Sequence, residues 1–185
     1  MDPSCVFAVV VEMAVLEDAT MKHTRHPEID EQVRVFGENM RAARHRAGLS
    51  QIGLAEATGL DRAAISFLER ADRAPDLSTL VRVARALSVK PGELLRGLGP
   101  AQSNARGPRF SEPPPADRAL HFGMNLRWAR RRVGMSQETL AFEAKVDRAA
   151  ISVYERGVRE PNLRTILKLS AALDLRPAAL LRGIE

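Results

Sequence analysis

The sequence predicts an all-α chain in which one five-helix domain occurs twice, the two copies joined by a Pro/Gly-rich linker. Three observations carry this. Residues 36–97 reappear as residues 122–183 at a constant offset of 86, without an insertion and with about half of the positions identical. A period that long marks a duplicated domain, because solenoid units repeat every ~20–50 residues. Apolar residues recur at three-to-four spacing (Phe36, Met40, Ala43; Leu77, Leu80, Val83, Ala84, Leu87), and no alternating strand pattern of useful length appears. Between the repeats, LGPAQSNARGPRFSEPPPADRAL is rich in Pro, Gly, Ser and Ala and contains Pro113-Pro114-Pro115, a composition that rarely builds helix or sheet. The expected division is a poorly defined extension at 1–33, a first domain at 34–98, a linker at 99–119 and a second domain at 120–185.

Each helix is bounded by its own local chemistry. Gly48 and Gly134 close helix one, and Ser50 and Ser136 are N-caps for helix two. Asp61 and Asp147 cap helix three. The copies then differ, because Ala71 stands where the second repeat has Gly157, the usual glycine stop. Pro75 and Pro161 restart the chain ahead of helix four. Pro91 and Pro177 sit at the first turn of helix five, where proline is favoured. Five short helices per repeat are the expectation.

Composition narrows the class. The single Cys5 excludes a disulfide framework within the chain and fits a reducing, cytoplasmic setting. The four histidines, His23, His26, His45 and His121, lack metal-ligand spacing, so no metal and no cofactor is expected. The run Val6–Leu16 is too short to span a membrane and has no basic start, so neither a span nor a signal peptide is predicted. It reads either as a strand or short helix covering a domain, or as sequence ahead of a start at Met13 or Met21.

The net charge of +5 is unevenly distributed. Residues 1–35 hold three Lys/Arg against seven Asp/Glu; the first repeat holds ten against seven, the second twelve against six. Positive charge concentrated in the duplicated domains is the distribution of a polyanion binder.

The densest stretch of identity between the repeats is DRAAIS, at Asp61–Ser66 and Asp147–Ser152, preceded by Ser-Gln and followed by Glu-Arg. In Gln51–Arg70 a short helix with buried Leu54 and Ala55 meets a tight turn at Thr58-Gly59-Leu60, and a second helix follows with Ile65 and Leu68 inward. Ala55 is small where the second helix crosses, and Gly59 suits a left-handed turn. This is a helix-turn-helix pattern, whose second helix enters the DNA major groove. In the second repeat Lys145 replaces Gly59, so that turn is either strained by ~1–2 kcal/mol or built differently.

On these residues both repeats resemble the phage Cro/repressor-type, XRE-like helix-turn-helix domain, a lambda-repressor-like fold, over about 120 of 185 residues. The resemblance implies binding of double-stranded DNA, usually by dimers. It makes Gln51 and Gln137 phosphate clamps, and it places base reading on Arg62, Ala63, Ser66 and Phe67 and on Arg148, Ala149, Ser152 and Val153. Arginine matches guanine O6 and N7 bidentately, so Arg62 and Arg148 are expected to carry direct readout, against the alternative of solvated surface arginines. The apolar Ala63, Ala149, Phe67 and Val153 depart from the polar residues common in the family. Arg70, Arg73, Arg156 and Arg159 follow the recognition helix as phosphate contacts or solvated charges. Arg44 with Glu69, and Arg130 with Glu155, match the family's structural ion pair. Trp128 reads as partial packing or a domain contact.

The expected function is a cytoplasmic transcriptional regulator, a repressor that occludes a promoter by binding two similar half-sites, as a homodimer or an intramolecular pseudo-dimer. The rival is a protein-interaction module that docks a partner, as coactivators and antitoxins with this fold do. No Gly-rich phosphate loop and no nucleophilic set shared by the repeats suggests an enzyme.

Overall fold

The computed structural model describes residues 27–100 and 117–184. The first repeat contains α1 (Pro27–Arg46), α2 (Gln51–Thr58), α3 (Arg62–Glu69), α4 (Leu77–Ala86) and α5 (Pro91–Leu94). The second contains α6 (Arg118–Arg132), α7 (Gln137–Ala144), α8 (Arg148–Glu155), α9 (Leu163–Ala172) and α10 (Pro177–Leu180). The fold is all-α, as the sequence predicts. The readings made for Val6–Leu16 and for most of the linker lie outside the described residues. Among the described residues no helix is long and apolar enough to cross a membrane.

The caps lie where local chemistry puts them. Ser50 Oγ accepts from Gly53 N at 3.0 Å and Ser136 Oγ from Thr139 N at 2.9 Å. Asp61 caps α3 through Ala64 N, and Asp147 caps α8 through Ala149 N, both at 2.6 Å. Asp76 and Asn162 do the same for α4 and α9, at 2.7 and 2.9 Å. Each bond satisfies a backbone donor that the first helical turn leaves without a partner.

Helix one is longer than expected in the first domain. The repeat begins at Phe36, yet α1 runs for 20 residues from Pro27, while α6 has 15. Under the offset of 86, α6 begins at the counterpart of Gln32, so the added turn of α1 is residues 27–31, which carry acids in the first turn and bury Ile29. This added segment reaches the other domain: its first turn lies beside Glu143, Ala144 and Lys145 of the second domain and Lys168 and Ala171 of α9.

Each domain closes on its own apolar core. Phe36, Met40, Leu54, Ile65, Leu77 and Leu80 are fully buried in the first, and Phe122, Leu126, Leu140, Ile151, Leu163 and Ile166 at the equivalent positions of the second. Two identical pairs outside the recognised motif hold helix one in place. A Cβ built on Gly37 would stand 2.7 Å from the Glu69 carbonyl oxygen, and one on Gly123 closer still to that of Tyr154. Helix one therefore crosses the end of helix three at backbone contact. Asn39 Nδ2 donates to the carbonyls of Leu94 and Arg96 at 3.1 and 2.9 Å, and Asn125 Nδ2 to those of Leu180 and Arg182 at 2.9 and 3.0 Å. These bonds tie helix one to the C-terminal turn.

The two domains meet through symmetric contacts. Leu77 N donates to Pro161 O at 3.0 Å and Leu163 N to Pro75 O at 2.8 Å, flanking an antiparallel bridge between Asp76 and Asn162. Under the offset of 86 each bond maps onto the other. Gly92 of α5 likewise faces its own counterpart Ala178 of α10. A residue meets its own counterpart only near a two-fold axis, so these two pairs mark one between the domains. Asymmetric contacts reinforce it: Ser78 N donates to Glu160 Oε2 at 2.9 Å, and Arg164 pairs with Asp30 on the added segment of α1.

Candidate nucleic-acid interface

In each domain the second and third helices pack as a helix-turn-helix. Leu54, Ala55, Ile65 and Leu68 are buried between them, and Thr58 Oγ1 turns back to Leu54 O at 2.7 Å. Gly59 caps α2 at φ 63°, in the left-handed region. Lys145 caps α7 in the same region, at φ 50° and ψ 51°. Of the two alternatives left by the sequence, the left-handed one is realised: Lys145 adopts the geometry that glycine adopts in the first domain. Ala71 does so too, at φ 62°, where the second domain has Gly157 at φ 69°.

The inner end of each recognition helix is fixed by a buried ion pair. Arg44 Nε lies 2.6 Å from Glu69 Oε1, its Nη2 lies 3.2 Å from Oε2, and its Nη1 donates to Leu49 O at 2.8 Å. Arg130 repeats this with Glu155 at 2.6 and 3.0 Å and with Met135 O at 2.8 Å. Such forked contacts are the geometry for which guanidinium and carboxylate are matched. Burial alone pushes the Glu69 and Glu155 carboxyls up, but hydrogen bonds from the arginine and glutamine, with the arginine charge, hold both below the ordinary carboxylate value. The glutamines of the Ser-Gln pairs are the third partners. Gln51 Nε2 donates to Glu69 Oε2 at 2.9 Å, and Gln137 Nε2 to Glu155 Oε2 at 2.8 Å. Their amide groups are thus held at the N-terminal ends of α2 and α7, half-buried and engaged with the ion pair.

The outer face of α3 presents the expected set. Arg62, Ala63 and Phe67 are exposed and Ser66 is half-exposed. Together with Arg70 they line one shallow depression. On α8, Arg148 and Ala149 are exposed, and Ser152 and Val153 are half-exposed. Arg73 and Arg159 are exposed in the loops that follow. The surroundings of the two faces differ. Arg148 Nη1 lies 2.8 Å from Glu138 Oε1, whereas position 52, the counterpart of Glu138, is Ile. Arg70 lies over the Phe67 ring at 5.3 Å and pairs with Asp72 at 2.8 Å. Both Arg70 and Arg156 donate to the serine one turn back, Ser66 Oγ and Ser152 Oγ, but the counterpart of Asp72 is Val158, which offers Arg156 no carboxylate. Trp128 is partly buried against the core, with Arg132 over its ring at 5.2 Å.

Fold and site together define a class, the XRE-type helix-turn-helix DNA-binding proteins. The chain belongs to the HTH_3 helix-turn-helix family, which matches twice, at residues 40–94 and 126–180, more than half of the chain. It is similar to the control protein C.BamHI of Bacillus amyloliquefaciens, 46% identical over 63 residues, which cover 34% of this chain and 78% of that protein. Similarity to the control protein C.SmaI of Serratia marcescens is 42% over 65 residues, 35% of this chain and 77% of that protein. The HTH-type transcriptional regulator YqaE of Bacillus subtilis strain 168 is 34% identical over 62 residues, 34% of this chain and 53% of that protein. Among solved structures, the restriction-modification controller protein C.AhdI from Aeromonas hydrophila is 47% identical, with a TM-score of 0.33, over 34% of this chain and 94% of that one.

Proposed function

We propose that this protein is a DNA-binding transcription regulator whose two domains act as an intramolecular pseudo-dimer, one chain occupying two similar half-sites in inverted order. The carrying observation is the pair of self-equivalent contacts, Asp76 with Asn162 and Gly92 with Ala178, between the domains. Domains related by a two-fold axis carry recognition helices related by the same axis, which suits an operator with dyad symmetry. A covalent tether alone permits direct or inverted half-sites; docked domains favour inverted ones. Regulation is supported by kinship with control proteins and a transcriptional regulator. Repression is the expected sign, since a chain seated across a promoter excludes polymerase with no further partner. The chain acts by binding rather than catalysis, and such a regulator works in the cytoplasm.

The roles proposed for individual residues follow the helix-turn-helix geometry. Arg62, Ala63, Ser66 and Phe67, with Arg148, Ala149, Ser152 and Val153, face the bases; Gln51, Gln137, Arg73 and Arg159 face phosphates. Selection of bound sequences from a random double-stranded pool by the full chain tests the reading. Enrichment of two related half-sites in inverted order is expected. Enrichment of direct repeats or of single half-sites contradicts the pseudo-dimer, and no enrichment at all favours the protein-docking alternative.

A further inference from the structure

The two recognition helices begin with the same five residues, Arg-Ala-Ala-Ile-Ser, yet their leading arginines stand in different electrostatic settings. Arg62 forms no ion pair among the described residues; the neighbouring first-turn position on α2 is Ile52, an exposed apolar side chain. Arg148 is paired with Glu138, the first-turn acid of α7, at 2.8 Å, with side-chain exposures of 70% and 63%. After the recognition helix the pattern is reversed. Arg70 is paired with Asp72 in the first domain, whereas the second has Val158 at that position; both Arg70 and Arg156 also donate to the serine one turn back, Ser66 or Ser152. The uncompensated guanidinium thus leads the helix in one domain and follows it in the other.

An ion pair this exposed adds little to stability, so its consequence falls on the ligand. Glu138 sits at the N-terminal turn of the helix whose backbone donors would meet a phosphate, and its carboxylate is repelled there. It also engages Nη1, one arm of the donor fork through which Arg148 would otherwise grasp guanine O6 and N7. We infer that Glu138 is a specificity-determining residue: it removes the guanine preference that Arg148 would give, so that the pseudo-symmetric chain reads an asymmetric operator in one fixed orientation. This rests on the DNA-binding reading above and deepens it. Domain one reads guanine opposite Arg62; domain two does not read it at the symmetry-related position.

The test is sequence selection by the full chain from a random double-stranded pool, with the wild type, Glu138→Ile and Ile52→Glu, and melting temperature as the check on folding. In the wild type, guanine is enriched at one of the two symmetry-related positions. Glu138→Ile should raise the guanine preference at the second position on the order of tenfold, and Ile52→Glu should lower it at the first by a similar factor. Arg62→Ala should erase the first preference and leave the second position unchanged. Equal guanine preference at both positions in the wild type, or profiles unmoved by the two exchanges in folded protein, overturns the inference while DNA binding stands. Failure of every folded variant to enrich any sequence overturns the DNA-binding reading itself.

Discussion

The arginine at the end of helix one decides whether each domain holds its recognition helix. Glu69 and Glu155 are buried, so deleting the partner leaves an uncompensated charge. Arg44→Ala or Arg130→Ala should therefore destabilise its domain by about 3 kcal/mol in denaturant titration. The same pair sets an acid limit. Both carboxyls are held below their ordinary 4.5 in the folded state, so the pair's contribution is complete above that value and is lost as pH falls through the lowered ones. Melting temperature should drop below about pH 4.5, and the drop should shrink in the Arg44→Ala, Arg130→Ala double variant, where burial without a partner favours the protonated acid. At the DNA, Arg62→Ala should cost ~1–3 kcal/mol against the preferred site and relax preference at one base pair, while Arg73→Ala weakens all sequences alike. Uniform loss in the Arg62 variant, seen in competition binding, removes it from base readout. The ion pair was legible because Arg, Glu and Gln recur at fixed positions in both repeats. The amide contact of Gln51 with Glu69 was not, because one glutamine at a helix N-terminus is equally suited to a phosphate and a neighbouring carboxylate.

Caps, prolines and the apolar period were read from single residues, and the helices begin and end at those residues. Asp61, Asp147, Pro91 and Pro177 act locally and need no knowledge of the rest of the chain. The crossing of helices one and three was missed, though Gly37 with Asn39 and Gly123 with Asn125 recur at the repeat offset; a glycine within a helical pattern declares its purpose only when the crossing helix is seen. Gly37→Ala should destabilise the first domain by about 1–3 kcal/mol in thermal or chemical melts, because the new methyl meets a carbonyl that cannot withdraw. The length of α1 was missed for a related reason, since residues 27–31 have no helical counterpart in the second domain and gain their apolar and ionic partners partly from that domain. Lys145→Gly should stabilise the second domain by about 1 kcal/mol. It releases a side chain from the left-handed region and removes a charge that, with burial and Arg164, pushes the nearby Lys168 ammonium down. A neutral or destabilising result in a chemical melt means that Lys145 makes compensating contacts.

At the scale of the whole molecule, the proposed pseudo-dimer has duplication take the place of a second subunit. A tethered pair binds its second half-site at an effective concentration set by the tether, and a docked pair adds a fixed orientation. The duplication was legible as a repeat; the axis was not, because it is formed by side-by-side segments 75–77 and 161–163 whose pairing leaves no periodic signal. Contacts outside the symmetry, Arg164 with Asp30 and the Ser78 amide with Glu160, join a first domain to a second and have no equivalent between two copies of the same domain. Stoichiometry on DNA tests this account most directly. Native mass spectrometry of the full chain with a duplex carrying two selected half-sites in inverted order should give one chain per duplex at saturation. Two chains per duplex, each half-site taken by a separate molecule, would contradict it.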